Sequence, residues 1–199
     1  MLSVRPKWCE KIASGEKTIE VRKTRAKLKT PFRCYIYCTI GGQDLNIPIS
    51  QERLMRDYLE TGSMKSLNCP LGNGKVIGEF TCERIVPITY DGGRLWCPTN
   101  AAFSPATCLS QAEIIAYIGD KGRCYGWHIT DLRIYDVPRE LSEFWRSCPE
   151  YSELSTNCLV CENVCGDSDE TDCNTDGRIY LRRAPQSWCY VEEVRDEHC

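Results

Sequence analysis

Lys17, Glu20 and Arg22 fall within SGEKTIEVRK, residues 14–23, where a glycine turn opens onto a short run of alternating character. Lysine offers a mobile point charge and arginine a planar fork of donors. A glutamate between them can orient that fork or accept from an amino group. Such a set suits a phosphate, a carbonyl-rich ligand or the edge of a base. Ile19 and Val21 alternate with Thr18, Glu20 and Arg22, the two-residue period of a strand with one apolar and one polar face. Lys17 has the parity of the apolar face, so it joins Glu20 and Arg22 by reaching round from the turn. The same residues also fit two plainer arrangements: a solvated charged face, or an internal Glu20–Arg22 ion pair.

A second group able to do chemistry is made of thiols. The chain has fifteen cysteines, an odd number. Several of them, among them Cys34, Cys38, Cys82, Cys124 and Cys189, sit inside apolar runs and read as small buried hydrophobes. Cys158, Cys161, Cys165 and Cys173 are different, because they lie together in a polar, acidic stretch with few apolar side chains. A structural zinc ion held by these four thiolates would supply folding energy that the stretch lacks. CxxC is a common half-site, the remaining spacings are not those of a standard finger, and Cys148 can stand in for one ligand. A loop with reduced thiols and a disulfide formed on oxidation are the alternatives. His128, beside Trp127, is either a structural histidine or a base, and conventional serine or cysteine hydrolase chemistry has little support from two histidines.

Charge is unevenly divided. The 199 residues carry a formal net charge of −3, yet residues 1–33 hold ten Lys or Arg against three Glu. Between Glu140 and Asp176 ten acidic residues face the single Arg146. A basic end next to Trp8 or Trp188 fits a phosphate-bearing ligand, while the negative total disfavours an extended duplex. The charged N-terminus lacks the pattern of a signal peptide, and no apolar run nears the roughly 18 residues of a spanning helix. A cytoplasmic protein with no membrane partner is expected.

Punctuation along the chain gives the elements that must position these groups. Pro6 opens a short helix that Gly15 ends. A strand follows over Arg33–Thr39, closed by Gly41-Gly42. Residues Ser50–Glu60 form a helix with Leu54, Tyr58 and Leu59 towards the core. A strand over Gly74–Ile88 is broken by Pro87. Ser110 and Glu113 form a capping box that opens a helix running to Gly119. Arg123–Val137 is a strand stopped by Pro138, and Ile179–Leu181 and Ser187–Val194 are closing strands. Strands and helices without regular βα alternation indicate an α+β barrel rather than a doubly wound sheet. With 42% hydrophobic residues and five tryptophans, the 199 residues suffice for one sizeable core.

The stretch GEKTIEVR resembles the GxKxxExR signature of the ASCH family, a group of PUA-like small β-barrels with flanking helices. The opening LSVRPKWCEKIASGEKTIEVRK is similar to phage and bacterial members. Gly126-Trp127-His128-Ile129, the later Pro138, Leu141 and Phe144, and Arg183-Ala-Pro-Gln-Ser-Trp-Cys-Tyr190 resemble the family's central strand, its exit and its last strand. On this resemblance residues 1–199 are a single ASCH domain with insertions at about 42–73 and 146–177, the second acidic and cysteine-containing. The resemblance implies binding of RNA, a nucleotide or a modified nucleobase. It also implies that Lys17, Glu20 and Arg22 point into a cleft between barrel and helices. Arg5, Lys7 and Trp8 would add charge and a stacking face, and Gln186, Ser187 and Trp188 would close the pocket.

Some relatives hydrolyse the N4-acyl group of a modified cytidine with a signature lysine, a threonine at the position of Glu20 and a later glutamate. Lys17 matches, Glu79 or Glu83 takes the place of the later glutamate, and Glu20 replaces the threonine. A carboxylate can act as a general base but not as a hydroxyl nucleophile. A nucleobase- or RNA-directed hydrolase, amidohydrolase-like or a ribonuclease, with Lys17 and Glu20 as catalytic residues, is thus the alternative to a binding module. A third possibility is a domain whose acidic insertion meets a protein partner.

Overall fold

A computed structural model describes residues 1–47, 55–56, 58–60, 70–91, 93–98, 103–148 and 177–193. Pro6 at the first helical position starts helix α1 (Pro6–Ala13), and Gly15 at φ 78° turns the chain away from it. Strand β1 (Leu2–Val4) precedes that helix, and β2 (Ile19–Arg22) and β3 (Phe32–Cys38) follow it. Then come the long strand β4 (Val76–Asp91), the short β5 (Arg94–Trp96), and helices α2 (Phe103–Thr107) and α3 (Gln111–Ile118). The long β6 (Arg123–Arg139), with β7 (Phe144–Ser147), β8 (Arg178–Tyr180) and β9 (Glu192–Glu193), completes the order. The Ser110–Glu113 capping box opens α3 as expected.

The main sheet runs β1-β3-β4-β6-β2, with β5 added to β4. β1 lies parallel to β3, whereas the β3–β4, β4–β6 and β6–β2 pairs are antiparallel. A second sheet has the order β8-β7-β9. The α+β class is as expected, but the small barrel needs correction. Among the described residues no ladder joins the end strands β1 and β2, so the sheet stays open along that line.

Side chains and a strap of irregular chain fill the seam instead. Residues 185–189 run antiparallel beside β1. Ser3 donates to the Ser187 carbonyl (2.9 Å), Cys189 to that of Met1 (3.0 Å), and Leu2 bridges Trp188. From the other side, the Arg22 guanidinium on β2 donates to the Ser3 carbonyl at 2.7 Å. The expected last strand over Ser187–Val194 is therefore mostly a strap, with regular pairing confined to β9.

Two prolines fail to stop their strands. Pro87 lies between Cys82, where β3 ends, and Thr89, where β5 begins, so one side of β4 has no ladder to lose a donor from. Pro138 sits in a wide bulge, because the β4–β6 register jumps from Gly78↔Ile134 to Val76↔Arg139. Tyr58 and Leu59 are 48% and 75% exposed, which corrects the expectation that they face the core, and Leu54 lies outside the described residues.

Three apolar clusters hold the sheet and helices together. The largest gathers Leu2, Ile12, Ile36, Ile77, Phe80 and Trp127, with Cys9, Cys34, Cys38 and Cys82 as small packing groups. These four and Cys124 are buried free thiols, while Cys189 is half-buried. A second cluster centres on Tyr35, Val76 and Phe144, and a third packs Ile114 and Ile118 of α3 onto Val21 and Ile88. The chain leaves the sheet near residue 47 and returns near 70 through a pinned neck, with Gly72 donating to Leu45 and Ile47 to Pro70. Cys148 donates to Gly177 at the mouth of the β7–β8 connection. Among the described residues no helix is long and apolar enough to cross a membrane.

Candidate functional site

Glu20 and Arg22 have the same parity on β2, and the Gly15 turn folds Lys17 back towards them. Lys17 Nζ lies 3.3 Å from one Glu20 carboxylate oxygen, and Arg22 Nη2 lies 3.0 Å from the other. The three form one chain of charges. They are 2%, 6% and 7% exposed, so the solvated-face reading of this strand does not hold. The Lys17 ammonium also donates to the Thr107 carbonyl at 2.6 Å and sits 5.2 Å from the centre of the Trp8 ring. Arg22 donates to the carbonyls of Ser3 (2.7 Å) and Ser187 (3.4 Å), and its buried Nε has no hydrogen-bond partner.

Two cations and one carboxylate leave this buried chain with a net charge of +1. Three main-chain carbonyl dipoles, those of Ser3, Thr107 and Ser187, supply the remaining negative potential. In physical terms the motif is a tie-rod: it joins the end of α2, strand β2, strand β1 and the C-terminal strap at one buried point.

At its lysine end lie Arg5, Lys7 and Trp8. Arg5 and Lys7 are exposed and Trp8 is half-buried against the main core, with Lys7 Nζ 4.7 Å from its ring centre. At the arginine end lies the strap. Gln186 is exposed, Ser187 lends its carbonyl to Arg22, and Trp188 packs 5.9 Å from Trp127 while its indole donates to Thr24 Oγ1 at 2.8 Å. Of the nine residues expected to bind ligand, three form the buried ion chain and six divide between its two ends. Arg5, Lys7 and Trp8 are not adjacent to Gln186 and Trp188 through any described contact.

Beside the arginine end the surface opens into a groove of about 760 Å³. Phe32, Trp127, Trp188 and Tyr190 contribute rings to it, and Arg33 and Arg146 contribute charge. Of these, sequence reasoning singled out Trp188 alone as a binding residue. Two signals were available: the shared parity of Trp188 and Tyr190, and the run between Arg22 and Arg33, of which Ala26, Leu28, Phe32 and Arg33 line the groove.

His128 is buried opposite a bulge at Glu83 and Arg84, and its Nε2 has no partner. Desolvation and the nearby Arg84 guanidinium hold its pKa below the usual histidine value, against the opposing pull of Glu83. Glu79 accepts from Tyr135 at 3.0 Å and lies 3.8 Å from Arg33, while Glu83 is exposed. Neither forms a described contact with Lys17 or Glu20. Cys158, Cys161, Cys165 and Cys173 lie outside the described residues. Among the described residues no cluster of three His, Cys, Asp or Glu is placed to hold a metal.

No family model matches the chain, and no curated protein matches it. Among solved structures it is similar to the ASCH protein of Zymomonas mobilis, with 18% identity and a TM-score of 0.44 over 70% of this chain and 71% of that one. A point mutant of the Zymomonas mobilis protein gives 16% identity, the same TM-score, and coverage of 70% and 73%.

Proposed function

We propose that this protein is an ASCH-type module that binds single-stranded RNA or a modified nucleobase on the surface braced by the Lys17–Glu20–Arg22 chain. The observation that carries the reading is the convergence of these three signature residues, two cations and one carboxylate joined within 3.3 Å in a buried, net positive core. Each end of that core reaches an aromatic residue beside exposed basic or polar groups: Arg5, Lys7 and Trp8 at one end, Gln186, Ser187 and Trp188 at the other. Aromatic faces beside positive charge are what an unpaired nucleotide uses, since every base has a face to stack and every link carries a phosphate. Lys17, Glu20 and Arg22 act in this reading as positioning residues, setting the distance between helix, sheet and strap.

A labelled ten-nucleotide single-stranded RNA tests the reading by fluorescence anisotropy. Binding is expected, and its affinity should fall as salt rises, with a log–log slope of roughly −0.7 for each phosphate contacted. Absence of binding at about 50 mM salt, where such contacts are strongest, would refute it.

A further inference from the structure

The two ends of the ion chain are not equivalent. Phe32, Trp127, Trp188 and Tyr190 form a row of rings, with centroid separations of 5.7, 5.9 and 5.3 Å along it. Their interplanar angles are 86°, 56° and 75°: two edge-to-face contacts flank a tilted Trp127–Trp188 pair. An edge-to-face contact covers one face of one ring of the pair, and neither outer contact is a parallel stack. Tyr190 is 46% exposed, and Trp188 is half-buried at the groove wall.

Hydrogen bonds fix the outer two rings from behind: the Trp188 indole donates to Thr24, and the Tyr190 hydroxyl accepts from the Lys27 amide at 2.9 Å. The segment that holds them, residues 23–33, contains Lys23, Arg25, Lys27, Lys29 and Arg33 with no acidic residue. All five of these basic side chains are exposed. Of this segment Ala26, Leu28, Phe32 and Arg33 line the groove, and so does Arg146 of β7, also exposed. One carboxylate, Glu192, stands at the rim and accepts from Ser147 Oγ at 3.3 Å.

We infer that this groove seats one unpaired base of a single-stranded nucleic acid, stacked on Tyr190 and Trp188, with the flanking phosphates on residues 23–33 and Arg146. This deepens the proposed function and rests on it. It places the base at the strap rather than at the Trp8 end or in the interior of the signature. A flat ring with phosphates on either side matches aromatic rings bordered by Arg33, Arg146 and the basic segment 23–33. A purely apolar partner would use the rings and none of the positive charge on the segment that holds them.

The experiment uses the full chain with a labelled ten-nucleotide oligoadenylate. Tyr190→Ala is expected to weaken binding about tenfold, the size of one lost stacking contact. Arg146→Ala should weaken it and make the salt slope shallower by about 0.7, one single-strand phosphate contact. Tyr190→Phe keeps the ring and removes the hydroxyl, so it should lose much less than Tyr190→Ala, while Trp96→Ala, at an exposed ring outside the groove, should bind like wild type. Thermal melting of each variant separates lost binding from lost folding.

If Tyr190→Ala and Arg146→Ala bind like wild type while wild type binds well, the groove assignment falls and the proposed function survives. If Tyr190→Phe loses as much as Tyr190→Ala, stacking is overturned in favour of the hydroxyl anchor. Competition by polyglutamate of equal length as strong as by unlabelled RNA would reduce the groove to a general anion surface and overturn the base seat. No binding by wild type overturns both readings.

Discussion

At the scale of single residues, the buried charges decide most. Glu20 pairs with two cations at once, so Glu20→Gln leaves Lys17 and Arg22 without an anion in a water-poor site. Breaking a buried ion cluster in this way costs about 3–5 kcal/mol, a large share of a domain's total stability. Urea unfolding of Glu20→Gln should therefore show a greatly lowered midpoint with little change in slope. His128 gives a pH signature of definite sign. Its pKa is depressed in the folded state, so the unfolded chain binds the proton more readily. The contribution is complete above the unfolded value and is lost as pH falls through the folded one. The urea midpoint is expected to drop as pH falls below the unfolded histidine value of about 6.5, and His128→Asn should flatten that dependence. Burial pushes the thiols of Cys82 and Cys124 up to about 12 and that of Cys34 to about 11, so these groups stay protonated as packing atoms at neutral pH.

At the scale of elements, β4 and β6 organise the molecule, and their irregularities matter as much as their pairing. Gly78 lies where the β4–β6 register shifts, and a β-carbon there would collide with the Arg133 carbonyl and crowd Ile134. Gly78→Ala is expected to cost about 1–3 kcal/mol, read as a lower thermal midpoint with the fold retained. Local signals made several elements legible in advance. Pro6 and Gly15 bounded α1, the Ser110–Glu113 box opened α3, and alternation marked β2. The prolines misled, because whether a strand tolerates one depends on its neighbours and not on its own sequence. Pro87 has an empty flank and Pro138 sits in a bulge. Parity likewise revealed that Glu20 and Arg22 share a face, and turn geometry that Lys17 could join them. It could not reveal that the face is covered, since the cover comes from Thr107, Ser3 and Ser187, far apart in the chain. The groove beside it draws on β3, β7 and the strap at once, which is why no local pattern outlined it.

At the scale of the whole molecule, charge and closure follow the same division. Basic residues gather in the first 33 positions, and the described parts of that region wrap the signature and form one groove wall. The open seam between β1 and β2 is filled by the strap, whose contacts with Met1 and Ser3 link residues more than 180 positions apart. Contacts of such separation carry a large loop-closure cost and slow folding. They also set an order of events during synthesis. Strand β1 and Arg22 leave the ribosome first, yet the carbonyl of Ser187 and the rings of Trp188 and Tyr190 arrive only when nearly all the chain has been made. Until then Arg22 lacks one of its buried acceptors and the groove lacks two of its rings, so a nascent chain stopped before residue 187 has the signature in its sequence and lacks the strap side of the surface that signature braces.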